Sequence, residues 1–332
     1  MKVFLQQDSS SDFRNKTSFL KYLNSHKKPL KNIIHIINPI ALPEGAELAR
    51  AQKITFESIQ NALQFYSGDF KVEVVMTGFT EDKKVFPANF VALSSLQSSM
   101  QDKLPEAKGK KLPFIAEILQ KTNEILHFQD DDFIIYTNID IALQPYFYDT
   151  ICAYLKAGHD ALIINRRRLS KRFFDLTLTE MYAEIGYSHP GFDCFVFTKK
   201  ALKNFLLEDI CIGIPFLEVS LLHNILSFAE NPLYVPDKHL TFHLGLDVLP
   251  DTHKAYYHHN RQTFFRKIEP HLQSKYDLLK FPYAEAPLIL RAFKWGLNPG
   301  IFTRNYLELE SKNQYQKIKN FFNELRWRFL ER

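Results

Sequence analysis

Asn138 and Asp140 stand two residues apart at the end of a strongly apolar run, and their types suit the binding of a cation or a sugar. The four β-forming residues at 133–136 predict a buried strand, of the kind found inside a parallel sheet. Ligands of open α/β sheets bind beyond the carboxyl ends of the strands, so the pair is expected at a functional edge. Residues two apart on a strand point to one side, and these two offer the oxygen ligands that Mg²⁺ or Mn²⁺ prefers. The alternative is an ordinary turn after a strand, which Asn and Asp also favour.

Three aspartates at 130–132 open the same stretch but lie at the wrong end of it. Eight residues of strand separate Asp132 from Asp140, which is roughly 26 Å at about 3.3 Å per residue. We therefore interpret 130–132 as a solvated loop.

Length and composition describe an ordinary globular chain. Its 332 residues are 45% hydrophobic and 24% charged, enough for a substantial core in one large domain or two small ones. A net charge of +5 is too mild to indicate a nucleic-acid partner, and none is expected. Three cysteines without CxxC spacing argue against a disulfide scaffold and a structural zinc site. Since neither a signal-peptide pattern nor a bilayer-spanning run is found, we expect a cytoplasmic protein, with peripheral contact to the cytoplasmic face of a membrane left open.

Strands and helices alternate through most of the chain. The predicted strands are 33–37, 72–76, 133–140, 161–165, 192–197 and 239–243. The predicted helices are 44–66, 112–128, 146–157, 199–207 and 215–228. The first strand, helix and strand form a βαβ unit, whose crossover is nearly always right-handed. A polar, irregular stretch at 79–111 is expected to loop over the functional edge.

This order of elements, with Asn-x-Asp after the third strand and Thr-Phe-His-Leu-Gly at 241–245, resembles the GT-A-fold glycosyltransferases of the nucleotide-diphospho-sugar transferase superfamily. The resemblance spans about residues 33–247. It implies an α/β, Rossmann-like fold with a mostly parallel central sheet flanked by helices. It also implies three parts, which are a polar leader (1–30), a GT-A-like catalytic domain (31–250) and a mostly helical C-terminal extension (251–332).

The resemblance assigns a metal site to the Asn-x-Asp pair. In that family an Asp-x-Asp motif at the end of a central strand holds a divalent metal against the sugar-nucleotide diphosphate. Asn138 and Asp140 occupy the matching positions, so an amide replaces the first acid here. Some members use a histidine near the end of the catalytic domain as a further ligand, and His243 is similar to it. The resemblance therefore implies Mn²⁺ or Mg²⁺ held by Asp140, Asn138 and His243.

Two further segments acquire expected roles from the same resemblance. The end of the first strand, with Asn38 and Pro39, is similar to the place where the nucleotide base is held. The segment that begins at Gly191 is similar to the strand that faces the donor sugar and the acceptor.

The chemistry of sugar transfer makes its own demands. The leaving group carries two phosphates, so it requires a cation, either a metal or arginines. Arg166 directly follows the predicted strand 161–165 and is expected to bind the donor, an ordinary solvated surface being the alternative. An inverting transfer also needs a carboxylate to take the acceptor proton, for which Asp193 is the first candidate and Glu218 the second. Asp193 lies among apolar residues and needs a partner, so an ion pair with an arginine is the competing interpretation. Glu218, on a predicted helix, is also compatible with a structural role.

The expected activity is transfer of a sugar from a nucleotide diphosphate to the hydroxyl of an unidentified glycan or lipid-linked acceptor, in glycan or glycolipid synthesis. This places the chain in the EC 2.4 class. A sugar nucleotidyltransferase is the rival enzyme. Such enzymes usually carry a glycine-rich, arginine-containing loop after the first strand, whereas 38–43 here reads Asn-Pro-Ile-Ala-Leu-Pro. Asn138 keeps open a third possibility, a non-catalytic scaffold that binds nucleotide sugars.

The last stretch, 311–332, has apolar residues at helical spacing and carries six Lys or Arg against two Glu. A basic amphipathic helix can lie on an anionic membrane surface. The alternative is that its apolar face packs on the catalytic domain.

Overall fold

A computed structural model describes residues 31–169, 176–236, 238–244, 253–272, 275, 285–287 and 289–290. Within these residues the chain forms one sheet of mostly parallel strands, with helices packed on both faces. The predicted fold class, α/β with a Rossmann-like arrangement, is confirmed.

The elements of this described part are as follows. The strands are β1 (Asn32–Ile37), β2 (Lys71–Met76), β3 (Val91–Ala92), β4 (Phe133–Thr137), β5 (Ile141–Leu143), β6 (Ala161–Leu169), β7 (Tyr187–Thr198), β8 (Pro232–Val235) and β9 (Thr241–Leu244). The helices are α1 (Glu47–Phe65), α2 (Met100–Lys103), α3 (Ile115–Gln120), α4 (Phe147–Lys156), α5 (Leu178–Ala183), α6 (Lys199–Leu202), α7 (Leu217–Phe228), α8 (Lys254–Thr263) and α9 (Glu269–Leu272).

The strand order across the sheet is β3-β2-β1-β4-β7-β6-β9-β5, and β8 also pairs with β6. The strands β3, β2, β1 and β4 are mutually parallel, and β8 and β9 are parallel to β6. Strand β7 is inserted antiparallel between β4 and β6. The carboxyl ends of β1, β4 and β6 therefore lie at the same edge as the first half of β7.

Strand β1 shows why this sequence makes a two-sided core. Ile33 and Ile37 pack on the face covered by α1 and α4, whereas Ile34 and Ile36 pack on the face covered by α3 and α7. All four side chains are fully buried. An uninterrupted apolar run is what a parallel strand with both faces covered requires, because successive side chains point to opposite faces.

The predicted strand 133–140 is too long. Strand β4 ends at Thr137, and residues 138–140 form a turn that the amide of Ile141 closes on the carbonyl of Asn138 at 3.2 Å. Asn138 and Asp140 thus do not share a strand face, and the geometric reason given for their convergence is wrong. The alternative interpretation, an ordinary turn after the strand, is the conformation that these residues adopt.

Strand β6 is longer than predicted. Arg166 lies inside it and does not follow its end. The reason is tertiary, because β9 pairs alongside Arg167, Arg168 and Leu169 and extends the ladder beyond the apolar run. All five predicted helices are shorter in the structure, and two differ most, with 112–128 reduced to α3 plus a 3₁₀ turn and 199–207 reduced to α6.

The prediction of a solvated loop at 130–132 is wrong for Asp132. Its carboxylate is buried, with Oδ1 accepting from the amide of Asn32 at 2.7 Å and Oδ2 from the Asn32 side chain at 2.8 Å. It therefore joins the start of β1 to the start of β4. Asp130 and Asp131 are exposed, as expected.

The leader 1–30 and the basic stretch 311–332 lie outside the described residues, so both remain predictions. Within the predicted C-terminal extension, the described segment from 254 to 272 is helical throughout. No helix in the described part of the chain has the length and hydropathy that crossing a membrane requires.

Candidate active site

The loop after β1 is tied to the end of β2. Asn38 is buried, and its side-chain amide donates to the carbonyl of Thr77 at 2.6 Å. Gly78 lies close by, since a Cβ at this position would stand 3.1 Å from the carbonyl oxygen of Pro39. A larger residue at 78 would therefore push the two loops apart at the sheet edge.

Two buried side chains, Gln52 and Asp82, bind backbone groups of the loop that follows β1. Gln52 of α1 accepts from the amide of Ile40 at 2.8 Å and donates to its carbonyl at 3.1 Å. Asp82 accepts from the amides of Ala41 at 2.8 Å and Phe79 at 3.0 Å. These bonds satisfy backbone groups that would otherwise need water, so the segment is preorganised beside the carboxyl end of β1.

The turn after β4 contains the first contact between predicted site residues. The amide of Asn138 donates from Nδ2 to Oδ1 of Asp193 at 3.2 Å. The hydroxyl of Tyr136 donates to Oδ1 of Asn138 at 3.1 Å. Burial raises the pKa of Tyr136, and the charges of Asp140 and Asp193 raise it further, so the hydroxyl stays protonated.

A β-bulge presents Asp193 at this edge. Along the β6–β7 ladder, Ile164 pairs with Cys194 and Asn165 pairs with Phe192, which leaves Asp193 as the extra residue. Bulges re-aim side chains and are frequent beside active sites. The Asp193 carboxylate is only 6% exposed, and its Oδ2 forms an ion pair with Nη1 of Arg166.

Asp140 and His243 form a second pair at the same edge. Nε2 of His243 lies 3.0 Å from Oδ2 of Asp140, across 103 residues of sequence. Strand β9 makes this possible, because His243 pairs directly with Ile141 of β5. Burial alone would raise the pKa of Asp140, but His243 and the charge of Arg166 outweigh that effect and lower it. Asp140 is therefore an anion at neutral pH.

The structure thus brings together Asn138, Asp140, Arg166, Asp193 and His243, five of the residues singled out from sequence. Asn38 and Pro39 lie in the loop that follows β1, and Gly191 lies on β7 two residues before Asp193. Glu218 lies in the first turn of α7, half-buried, and takes no part in the contacts described above. The proposed role of each residue stays a prediction.

Several residues of this edge were missed from sequence: Tyr136, Gln52, Asp82 and His35. A buried histidine inside the apolar run of β1 was a visible signal. Its Nδ1 lies 2.8 Å from the Tyr148 hydroxyl and its Nε2 lies 2.9 Å from the Thr137 hydroxyl. Gln52 and Asp82 gave no signal, because their partners are backbone groups of distant loops.

A divalent cation fits part of this edge. No cluster of three His, Cys, Asp or Glu side chains suited to a metal occurs in the described residues. The distance of 3.0 Å between Asp140 Oδ2 and His243 Nε2 fits a direct hydrogen bond. It also fits two neighbouring ligands that each stand about 2.1 Å from one ion, since such ligands are about 3 Å apart. Nδ1 of His243 is buried and has no hydrogen-bond partner among the described residues. Two protein ligands suffice for an ion that takes its other ligands from water and phosphates.

No protein-family model and no curated protein matches the chain. Several solved structures are similar to this chain. One is 4-diphosphocytidyl-2C-methyl-D-erythritol synthase from Anaerococcus prevotii, with 11% identity, a TM-score of 0.36, and coverage of 71% of this chain and 99% of that chain. Another is Rv0371C of Mycobacterium tuberculosis in complex with manganese, with 13% identity, a TM-score of 0.37, and coverage of 70% and 98%. A third is mouse xyloside xylosyltransferase 1, with 11% identity, a TM-score of 0.30, and coverage of 52% and 69%. At TM-scores this low, the function has to be inferred from the site of this chain.

Proposed function

We propose that this protein is a glycosyltransferase that moves a sugar from a nucleotide-diphosphate donor to an acceptor hydroxyl, assisted by Mn²⁺ or Mg²⁺. The observation that carries the proposal is the meeting of two pairs of polar side chains at one sheet edge. These are Asp140 with His243, and Asp193 with Arg166, and Asn138, in the same turn as Asp140, donates to Asp193. The preorganised loop after β1 borders the same edge.

Asp140 and His243 are the residues that would hold the cation. The ion would neutralise the diphosphate as it leaves, which is the largest charge that sugar transfer creates. Asp140 suits this role because its lowered pKa keeps it ionised at neutral pH.

Arg166 provides a positive charge that belongs to the protein and not to a bound ion. Its guanidinium pairs with Asp193 and lies near enough to Asp140 to lower the pKa of that carboxyl. An arginine in a buried position interacts strongly with phosphate oxygens, which it can bind in a bidentate manner. We therefore assign Arg166 to the diphosphate side of the donor, and Asn38 and Pro39 to the nucleoside side.

Asp193 is the candidate that touches the reacting sugar. Its position on the bulge places a carboxylate between the end of β4 and the middle of β6. In an inverting transfer this carboxylate would accept the proton of the acceptor hydroxyl. Glu218 is the second candidate, and Gly191 lies near enough along β7 to border the sugar.

Thermal shift against UDP-, GDP-, ADP-, CDP- and dTDP-linked sugars, with Mn²⁺ or with EDTA, tests the proposal. A donor at about 100 times its Kd stabilises the native state by about 2.7 kcal/mol, so one base series is expected to raise the melting temperature. The rise is expected to require Mn²⁺ and to disappear in Asp140→Ala. Asp131→Ala, at the exposed far end of β4, is the matched control and keeps the shift.

Product analysis separates the rival functions. Release of a nucleoside diphosphate from the stabilising donor supports glycosyl transfer. Release of pyrophosphate from a nucleoside triphosphate and a sugar phosphate would indicate a nucleotidyltransferase. Binding without either product would indicate a scaffold, and absence of any nucleotide-dependent shift would overturn the proposal.

A further inference from the structure

The orientation of the Asn138 amide follows from its neighbours. A carboxylate bound to a guanidinium accepts hydrogen bonds and donates none, so the group that faces Asp193 at 3.2 Å must be the NH₂ of Asn138. The carbonyl oxygen then faces the Tyr136 hydroxyl at 3.1 Å, and that hydroxyl must be the donor. Each end of the amide thereby has a hydrogen-bond partner inside the protein.

We propose that Asn138 is a positioning residue for Asp193 and is not a ligand of the cation. The expected effect on kcat rests on the proposed function. The expected effects on Mn²⁺ affinity and on melting temperature do not. An aspartate at 138 would place a second carboxyl group about 3.2 Å from that of Asp193, where the two could not both be ionised without repulsion. The Asn138 amide donates to Asp193 without adding a negative charge, which suits this geometry.

Asp193 needs such a restraint because it sits on a bulge. The extra residue of a bulge falls outside the regular ladder, so neighbouring pairs do not define where its side chain points. Here two contacts define it, with Arg166 on Oδ2 and Asn138 on Oδ1. Tyr136, 1% exposed, is packed in the core and holds Asn138 in turn. The chain of contacts thus transmits the rigidity of β4 to the carboxylate on β7.

In this proposal the cation has Asp140 and His243 as its protein ligands, and the Asn138 oxygen stays bound to the Tyr136 hydroxyl. Removing the Asn138 amide should then leave the affinity for Mn²⁺ nearly unchanged while it releases Asp193. A positioning role and a ligand role therefore predict opposite results for the same variant.

The experiment uses the full chain with Asn138→Ala, Asn138→Asp, Asp193→Asn and the exchanged pair Asn138→Asp with Asp193→Asn. Mn²⁺ binding without nucleotide is measured by electron paramagnetic resonance, stability by melting temperature, and kcat and KM with the donor found by thermal shift. Asn224→Ala is the matched control, since this buried asparagine bonds the backbone of Leu206 away from the site. It is expected to lower the melting temperature without changing kcat.

Asn138→Ala is expected to retain Mn²⁺ affinity and donor KM and to lower kcat by roughly 100-fold, the scale for misplacing a reacting group by about 1 Å. Asn138→Asp is expected to lower the melting temperature through repulsion between the two carboxylates. The exchanged pair is expected to lose less melting temperature than the two single variants lose in sum, because a carboxylate and an amide again face each other although Arg166 has lost the carboxylate at 193. Its kcat stays low because the carboxylate stands at the wrong position.

Two results would overturn the inference. The first is a loss of Mn²⁺ affinity of about tenfold or more in Asn138→Ala, the effect of removing a ligand or its support. The second is an exchanged pair whose loss of melting temperature equals the sum of the losses in Asn138→Asp and Asp193→Asn, which would show that residues 138 and 193 are not coupled. Both readouts need no turnover, so they decide the inference even if the wild-type protein transfers no sugar, a result that would count against the proposed function alone.

Discussion

His35 provides a prediction that depends on burial and on no assumption about activity. The ring is fully buried in β1 between the hydroxyls of Tyr148 and Thr137, and burial lowers the pKa of His35 from 6.5 to about 3. The folded protein therefore keeps this ring neutral at every pH above about 3. Because Thr137 immediately precedes Asn138, the hydrogen bond between His35 and Thr137 also helps to hold the turn of the candidate site.

The magnitude follows from linkage between protonation and folding. The unfolded chain binds a proton at His35 below pH 6.5, whereas the folded chain does so only near pH 3. The stability associated with the neutral ring is complete above pH 6.5 and is lost progressively as the pH falls toward 3. At about 1.36 kcal/mol per pH unit, the whole interval corresponds to on the order of 5 kcal/mol, of which about 2 kcal/mol is lost by about pH 5.

Urea unfolding of the wild type and His35→Gln, at pH 7.5 and at pH 5.0, measures this contribution. The variant lacks the titrating ring, so the difference in free energy of unfolding between the two proteins is expected to shrink by about 2 kcal/mol at the lower pH. His159→Gln, whose ring contacts the carbonyl of Asn231 near the surface, is the control and is expected to follow the wild type at both pH values. A difference that stays constant with pH would show that folded His35 accepts a proton, and it would refute the reasoning.

Two further predictions concern buried charges at the same edge. Arg166→Met leaves the Asp193 carboxylate uncompensated and is expected to lower the free energy of unfolding by about 3–5 kcal/mol, as judged by urea titration. Adding Asp193→Asn should restore most of it, and a double variant no more stable than the single one would contradict the pairing. Asp82→Ala leaves the amides of Ala41 and Phe79 without their acceptor and is expected to cost about 1–3 kcal/mol for each amide while weakening donor binding. Asp82→Asn keeps one acceptor, so equal losses in the two variants would show that the carboxylate does not hold the loop.

Much of the sheet could be predicted from local pattern. The strands at 33–37 and 72–76 differ from β1 and β2 by one residue at their start, because uninterrupted apolar runs bounded by polar residues identify buried parallel strands. The short strands β3, β5 and β8 were not predicted. Their two to four residues carry too little periodicity, and only the neighbouring ladders make them strands.

Parts of the candidate site could likewise be predicted from the sequence, and other parts could not. The predicted end of the buried strand correctly placed Asn138 and Asp140 at the carboxyl edge of the sheet, where ligands of such sheets bind. The spacing argument for their convergence was wrong, because the strand ends at Thr137 and the two residues lie in a turn. Asp132 was misjudged for a related reason, since its partner Asn32 is 100 residues away.

By itself the sequence determined the fold class, the βαβ start and the types of side chain available for a cation and a diphosphate. These depend on hydrophobic periodicity and on chemistry that is local to the chain. Only the tertiary structure decided that His243 reaches Asp140 and that Arg166 reaches Asp193. Those contacts require β9 to pair with β5 and β7 to enter antiparallel between β4 and β6 with a bulge at Asp193. These pairings join segments that are far apart in the chain, so no pattern within one segment carries them.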